Sequence, residues 1–427
     1  MKILLLGSGG REHAFAYMIS KSERCEKLYI APGNPGTEKH GENISISVND
    51  FAAIREFVLQ HGIEMIVVGP EDPLVHGVFD FFYADPSTGQ VAVIGPSAKG
   101  AMLEGSKDFA KSFMQKHGVP TARYATFTSA QLSEALGYLD QQPVPLVLKA
   151  DGLAAGKGVL ICHSHEEAKK ELSEMMQTKK FGAAGDKVVI EEFLNGVEMS
   201  CFIITDGKNY RLLPTAKDYK RIGENDTGLN TGGMGAVSPV PFADDALMKQ
   251  IEERIIQPVM QGLQQDRIVY KGFLYIGLMI VNGNPYVIEF NCRMGDPETQ
   301  VVLPRLKNDL VELMIAAHAG TLNEVTVEVL PYAAVTVVLA SKGYPEHYEK
   351  GKLIQNLSQT HDCIVFHAGT RKRSNGDIET SGGRVLAVTA FGRKLSDARA
   401  LALRNAGVIS FEGKYYRADI GVDVIRD

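Results

Sequence analysis

The densest chemistry in the sequence lies in Val287–Glu298, VIEFNCRMGDPE. If Val287–Asn291 is an alternating strand, Glu289 and Asn291 share one face. A carboxylate and an amide oxygen are hard donors of the kind Mg²⁺ takes, with water and phosphate oxygens filling the rest of its shell. Arg293 adds a guanidinium at once, and Gly295-Asp296-Pro297-Glu298 then turns the chain. The competing reading is an edge strand with exposed polar residues.

Lys149-Ala-Asp-Gly-Leu-Ala-Ala-Gly-Lys157-Gly158 is a second candidate. It is no P-loop, since Gly158 stands where that motif needs Ser or Thr. A loop of small residues between two strands can fold over a triphosphate as a lid, with Lys149 and Lys157 reaching the phosphates from different sides. A plain hairpin with solvated lysines is the alternative. Val188–Glu198 (VVIEEFLNGVE) leaves a strand for a short connection and can offer backbone groups to an adenine edge and a carboxylate to ribose hydroxyls. Taken alone it reads most easily as a surface turn with solvated acids. Thr227–Gly235 holds four glycines and follows the cluster Lys217-Asp218-Tyr219-Lys220-Arg221. Such a run can bring N–H groups to a phosphate or carboxylate, or be a solvated charge run.

The third candidate is Gly7-Ser8-Gly9-Gly10-Arg11-Glu12-His13, after the first apolar run. Glycines here let the backbone approach a phosphate at a helix N-terminus, and Arg11 supplies a guanidinium. A dinucleotide fingerprint needs Gly where Glu12 stands and an acid closing the second strand, which instead ends in Ala31-Pro32-Gly33. A nicotinamide dehydrogenase is therefore disfavoured. A tight turn that binds nothing is the bland alternative.

The elements that must position these residues follow from periodicity. Strands are predicted at Lys2–Leu6, Leu28–Ala31, Met65–Val68 and Val91–Ile94, with helices at Glu12–Ile19 and Phe51–Gln60, the latter capped from Asn49-Asp50. This alternation implies a parallel sheet with crossover helices. Further on, helices are predicted at Lys107–Lys116, Glu166–Met176, Ala246–Leu263 and Leu310–His318. Strands are predicted at Pro143–Lys149, Lys187–Glu192, Met199–Ile204 and Tyr210–Leu213. Phe273–Val281 and Pro285–Phe290 read as a hairpin turning at Asn282-Gly283-Asn284. The last hundred residues give short strands at Ala333–Ala340, Cys363–Ala368 and Arg384–Thr389, then a helix at Leu395–Ala406 ended by Gly407.

The bulk numbers bound the rest. A chain of 427 residues, 44% hydrophobic and 22% charged, has an ordinary globular balance. Its net charge of -6 argues against non-specific nucleic-acid binding. No apolar run approaches the ~18 residues that span a bilayer, and Ile3–Leu6 reads as a buried strand rather than a signal peptide. The five scattered cysteines form no CxxC pair, which fits reduced thiols in a cytoplasm and no structural zinc.

Together and in order, GSGGREHA, APGNPGT, GPEDPLV, LEGSK, KADGLAAGKGV, EEFLNGVE, NTGGMGA, GFLYIGLM, EFNCRMGDPETQ, FHAGT and GGRVLAVTA resemble the glycinamide ribonucleotide synthetase (phosphoribosylamine–glycine ligase) family of the ATP-grasp superfamily. The resemblance covers essentially the whole chain. Met294 stands where Leu or Phe is expected, and Leu229 where Pro is expected.

The resemblance implies a multidomain α/β and α+β fold. Residues 1–103 would form a Rossmann-like domain with a parallel sheet, 104–325 a two-subdomain ATP-grasp fold with its lid at about 124–190, and 326–427 a small C-terminal α+β domain. It implies ligation of glycine to 5-phosphoribosylamine with ATP, through a glycyl phosphate, in purine synthesis. Lys107 and Lys149 would contact ATP phosphates. Asp151, Gly152, Gly156, Lys157 and Gly158 would belong to the lid; Glu191, Phe193 and Leu194 would line the adenine pocket, and Glu198 the ribose. Glu289 and Asn291 would hold Mg²⁺, with Mn²⁺ as an alternative. Arg293 and Lys149 would stabilise the transferred phosphoryl group, and Asp218 would meet the glycine ammonium. Gly9, Gly10, Arg11, Asn34, Gly36 and Thr37 would help bind phosphoribosylamine. The partners implied are small molecules alone, with no nucleic acid or membrane, on a monomer or weak dimer in the cytoplasm. The rivals are another ATP-grasp ligase or carboxylase, and a catalytically silent ATP-binding regulator.

Overall fold

The computed structural model describes residues 1–153, 158–177 and 186–425. Strands β1 (Lys2–Gly7), β2 (Lys27–Pro32), β3 (Glu42–Asn43), β4 (Met65–Val68) and β5 (Ala92–Pro96) pair in parallel in the order β3-β2-β1-β4-β5. Ile3–Leu6 and Met65–Val68 are buried throughout, as unbroken apolar runs require in a sheet covered on both faces. The Gly10–Ile19 helix connects β1 to β2. The Phe51–His61 helix starts at Asp50, whose carboxylate accepts the Ala53 N–H at 3.0 Å.

Strands β6 (Tyr124–Thr128), β7 (Leu146–Ala150), β8 (Val159–Cys162) and β9 (Lys187–Glu192) make a separate antiparallel sheet, ordered β6-β9-β7-β8. Leu139 and Leu172, Met175 and Met176 from two helices pack on Leu146, Leu148 and Ile190 to give it its own core.

The chain continues with β10 (Val197–Thr205), β11 (Tyr210–Leu212), β12 (Lys217–Asp218), the pair β13 (Arg221–Gly223) and β14 (Thr227–Asn230), β15 (Gly235–Ser238), β16 (Tyr270–Val281) and β17 (Asn284–Asn291). β16 pairs with β10 on one side and β17 on the other. Its first residues pair with β5, Tyr270 opposite Pro96 and Lys271 opposite Gly95, so the parallel sheet runs on into the antiparallel one. Asn282 and Gly283, both at positive φ, close the β16–β17 hairpin. One irregularity matters for chemistry. The register passes from Leu278 opposite Val287 to Gly277 opposite Glu289, which leaves Ile288 unpaired as a bulge. The bulge lets Val287 and Phe290 both enter the core while Glu289 and Asn291 share the other face.

Beyond it lie β18 (Ala333–Ser341), β19 (Cys363–His367), the hairpin β20 (Thr370–Lys372) and β21 (Ile378–Thr380), β22 (Arg384–Gly392) and β23 (Lys414–Tyr415). The last main sheet is ordered β12-β15-β18-β22-β19, with β23 on β18. Two strands from 217–238 thus lie in one sheet with strands from beyond 333, so the C-terminal sheet is physically tied to the Lys217–Arg221 cluster.

Two elements differ from expectation. The helix predicted over Ala246–Leu263 runs from Asp245 to Gln265 but widens to a π-turn at Glu252–Ile256. Pro258 follows directly, and its ring and missing N–H break the regular ladder there. The last helix runs through Gly407 to Val408, so Gly407 does not end it; packing of Ala398, Ala402, Ala406 and Ile409 on the sheet carries the helix past the glycine. Among the described residues no helix is long and apolar enough to cross a membrane.

Candidate active site

Lys149, at the end of β7, is buried and points its ammonium at two groups. It donates to the Ile288 carbonyl at 3.0 Å and lies 3.0 Å from Glu191 Oε1. The first contact uses the carbonyl of the bulge residue. Glu191 Oε2 lies 3.0 Å from a second buried ammonium, Lys111, which also donates to the Thr121 hydroxyl at 2.8 Å. Thr121 donates in turn to the Val287 carbonyl at 2.6 Å. One buried carboxylate therefore serves two lysines, both tied to the strand that carries Glu289. Burial pushes the Lys111 ammonium down to about 8, against the attraction of Glu191.

Lys107 begins the helix that also carries Lys111 and donates to the Gly152 carbonyl at 2.8 Å. Burial lowers its pKa, while Glu289 opposes the shift. Asp151 accepts from the Ser106 hydroxyl at 3.0 Å and the Asp108 N–H at 3.1 Å, which pins the start of the Gly-rich loop to that helix. Gly158 closes it, its carbonyl accepting the Ala150 N–H at 2.8 Å. Gly156 and Lys157 lie outside the described residues. Phe193 and Leu194 are half-buried in the connection from β9 to β10.

Glu289 has Lys220 as its hydrogen-bonding partner, at 3.4 Å, and Lys220 also lies 3.1 Å from Glu198. Burial would raise the Glu289 carboxyl, but Lys220, Lys149 and Lys107 hold it below its ordinary value. Among the described residues it is thus an anion with one long hydrogen bond, on the same strand face as Asn291, a donor set that fits a hard divalent cation. No group of three or more His, Cys, Asp or Glu side chains among the described residues could hold a metal. Two protein donors suit Mg²⁺, which keeps water and phosphate oxygens in its shell.

Asp218 and Glu298 form a buried acidic pair. Burial, then Glu298, raises the Asp218 carboxyl, and Asp218 Oδ1 has no hydrogen-bond partner among the described residues. Glu298 accepts from the Ser200 hydroxyl at 3.1 Å, and burial raises its carboxyl too. The Lys217–Arg221 run is therefore more than a solvated charge run: Lys217 pairs with Asp423 at 2.8 Å, half-buried Lys220 pairs with Glu198 and Glu289, and Asp218 turns its Oδ1 inward.

Arg293 lies 2.6 Å from Glu104 and 3.3 Å from Glu71. Burial pushes Glu104 up to about 7, although Arg293 opposes it. Burial also acts on Glu71, but Arg293 and Arg11 outweigh it and hold that carboxyl at about 2. Arg293 and Arg11 both donate to the Met294 carbonyl, at 3.2 and 3.3 Å. One backbone oxygen thus joins the acidic strand end to the N-terminal glycine turn. The Met294 side chain is buried in an apolar cluster with Phe15 and Tyr275, so an apolar side chain is all that position needs.

Across this junction lies a cavity of about 590 Å³, lined among others by Gly7, Ser8, Gly9, Arg11, Ser47 and Asp296. Asp296 accepts from Gln300 at 2.7 Å and from Arg384 at 2.9 Å. A Cβ on Gly10 would sit 2.5 Å from the Gln300 amide nitrogen, so a larger residue there would have to displace the Gln300–Asp296 hydrogen bond. A second cavity of about 320 Å³, between Asn34, Asn43 and Ser45 on one side and Thr370–Lys372 on the other, continues the first.

Several of the expected phosphoribosylamine residues already have partners within the chain. The Gly9 N–H donates to Glu12 at 2.6 Å, so the glycine turn is filled by a carboxylate of its own chain. Thr37 is fully buried, its hydroxyl bonding the Asn34 carbonyl and the Asn43 amide oxygen, so it folds the loop rather than facing the cavity. Gly9, Arg11 and Asn34 do line cavities, with Arg11 also bonded to Glu12 at 2.6 Å and Asn34 to the His367 carbonyl at 2.9 Å. Sequence reasoning missed Lys111, Glu104, Asp296 and Arg384. The signal for Lys111 was present, one helical turn after Lys107, but its partner lies 80 residues away.

Family models agree along the chain: phosphoribosylglycinamide synthetase N domain over residues 1–104, ATP-grasp (A) domain over 105–299 and C domain over 334–423. A phosphoribosylamine--glycine ligase of Caldanaerobacter subterraneus subsp. tengcongensis is 47% identical, over 98% of this chain and 99% of that protein. One from Chlorobaculum tepidum is 46% identical over 100% of both. The crystal structure of phosphoribosylamine--glycine ligase from Thermotoga maritima superposes with a TM-score of 0.85 at 37% identity, covering 98% of this chain and 100% of that one. The biotin carboxylase domain of a Hydrogenobacter thermophilus 2-oxoglutarate carboxylase shares the fold alone, with a TM-score of 0.72 at 17% identity over 100% of this chain and 94% of that one. The chain belongs to the phosphoribosylglycinamide synthetase family, built on the ATP-grasp fold.

Proposed function

We propose that this enzyme ligates glycine to 5-phosphoribosylamine, converting ATP to ADP and phosphate and releasing glycinamide ribonucleotide for purine biosynthesis. The observation that carries the reading is the shared Met294 carbonyl. It fixes Arg293, beside the lysine and Glu289 cluster, against Arg11 on the wall of the larger cavity. A phosphoryl-transfer centre and a pocket for a second, anionic substrate are thereby held in contact.

A glycine carboxylate oxygen attacks the γ-phosphorus of ATP and ADP leaves. The amine of phosphoribosylamine then attacks the acyl carbon, and the carbon–oxygen bond breaks to release phosphate. The first step sets a carboxylate against a polyanion, so positioned cations do the work rather than acid–base groups. Lys107 and Lys149 take the ATP phosphates, and Arg293 the transferred group. Phe193 and Leu194 flank the adenine together with the Glu191 backbone, since the Glu191 side chain is engaged by the two lysines. Glu198 takes the ribose, and Asp151–Gly158 is the lid. Glu289 and Asn291 would hold Mg²⁺ or Mn²⁺, which supplies charge neutralisation of the phosphates when bound. Asp218, whose buried Oδ1 lacks a donor among the described residues, takes the glycine ammonium. Arg11, Asn34 and the backbone of Gly9, Gly10 and Gly36 shape the phosphoribosylamine pocket. The enzyme works in the cytoplasm as a monomer or weak dimer.

A coupled ADP-release assay tests this with glycine, β-alanine or serine, with and without phosphoribosylamine and Mg²⁺. The expected result is sustained ADP release only with glycine and phosphoribosylamine together. ADP release that ignored glycine would defeat the reading.

A further inference from the structure

His13 is not used by the chemistry above, yet it is buried in the first turn and a half of the Gly10–Ile19 helix. Its Nδ1 accepts the His367 backbone N–H at 2.7 Å, from the end of β19. The same His367 presents its carbonyl to the Asn34 amide at 2.9 Å, and Asn34 also donates to the Ser8 carbonyl at 2.9 Å. A Cβ on Gly36 would fall 2.2 Å from the His13 ring and 2.8 Å from His367, so the loop rests directly on both. Ala14 packs with Phe366, Val338 and Ala387, and Phe366 meets the His13 ring edge-on at 5.4 Å between centroids. The Asn34–Thr37 loop is thus gripped between one residue of the N-terminal helix and one residue of the C-terminal sheet.

We infer that His13 is a positioning residue: its Nδ1 holds the C-terminal sheet, through the His367 N–H, against the Asn34–Thr37 loop in the shape that binds phosphoribosylamine. This rests on the reading that the loop belongs to that substrate's pocket. His13 touches no reacting atom. An Nδ1 acceptor requires the neutral ring with its proton on Nε2. The surroundings favour that form: the ring is buried, it faces His40 and His367, and Lys39 lies close by, with no acid among the groups acting on it. Losing the acceptor would leave a buried N–H unpaired and let the loop and sheet part. The loss falls on one substrate, because among the described residues no hydrogen bond or ion pair joins the lysine cluster or Glu289 to this clamp.

The test uses His13→Leu, which removes the acceptor, and His13→Asn, whose Oδ1 stands where Nδ1 was. His13→Leu should raise KM for phosphoribosylamine on the order of 10-fold, with KM for ATP and glycine within twofold of wild type. His13→Asn should recover most of that loss. Equal loss in both variants, an equal rise for ATP, or no change would overturn the clamp. Arg11→Ala measured alongside separates the premises: if it raises KM for phosphoribosylamine while His13→Leu does not, the pocket stands and the clamp falls; if neither does, the pocket assignment falls as well. Should the variants not fold, ¹⁵N-histidine NMR of the unaltered enzyme still decides. His13 should appear at neutral pH as the neutral tautomer protonated on Nε2, and a proton on Nδ1 would overturn the proposal.

Discussion

Replacing Glu191 by Gln removes the one anion shared by Lys111 and Lys149 without changing the shape of the side chain. The lost partner leaves Lys111 as a buried cation, and breaking a buried pair typically costs about 3–5 kcal/mol. The structure sets a lower figure. The folded-state pKa of Lys111 is already down at about 8. At pH 7 the ammonium can shed its proton for roughly 1–2 kcal/mol, about one pKa unit, rather than stay charged and unpaired. Adding about 1 kcal/mol for the lost hydrogen bond, the expected destabilisation is about 2–3 kcal/mol at pH 7. The sign with pH follows. Lys111 has a folded pKa depressed from 10.5, so its contribution is restored at high pH and lost as pH falls through about 8. At pH 9 the wild-type Lys111 is itself mostly neutral, and the gap between wild type and Glu191→Gln should shrink to about 1 kcal/mol. Urea denaturation followed by circular dichroism at both pH values measures this, since the chain has no tryptophan. A gap that is constant between pH 7 and 9, or below half the expected size at pH 7, would refute the shared-carboxylate account.

Glu289→Ala should lower kcat at least ~10²-fold while the variant folds normally by circular dichroism; normal kcat in a folded variant would sink the metal assignment. Arg11→Ala should raise KM for phosphoribosylamine on the order of 10-fold, because a charge-assisted contact is lost, and leave KM for ATP within twofold; equal changes would count against an N-terminal substrate pocket. Burial, with Lys39 nearby, holds the His367 imidazole down at about 4. Its contribution to stability is therefore present above pH 6.5 and lost as pH falls, about 2 kcal/mol of it by pH 5. The stability gap between wild type and His367→Asn should narrow by that amount from pH 7 to pH 5, and a constant gap would contradict it.

Much of the fold was legible because its signals are local. The apolar runs Ile3–Leu6 and Met65–Val68 and the capping Asp50 specify their own elements. The facing of Glu289 and Asn291 was readable from alternation, but the reason Val287 does not share that face was not. It depends on a bulge at Ile288 set by pairing with β16. The recruitment of β12 and β15 into the C-terminal sheet escaped prediction because it joins segments about a hundred residues apart. The same holds for Lys111 with Glu191 and Arg293 with Glu104: sequence shows which residues can ionise, and only packing shows which carboxylate faces which cation. Gly9 is the reverse case. Its type suited anion binding, yet Glu12, three residues on, takes its N–H.

The most direct test of the central claim follows the carboxylate oxygen. Glycine labelled with ¹⁸O in its carboxylate is turned over with ATP, phosphoribosylamine and Mg²⁺, and the released phosphate is weighed by mass spectrometry. Activation as an acyl phosphate predicts one ¹⁸O atom in each phosphate released. Phosphate free of label, with glycinamide ribonucleotide still formed, would contradict it.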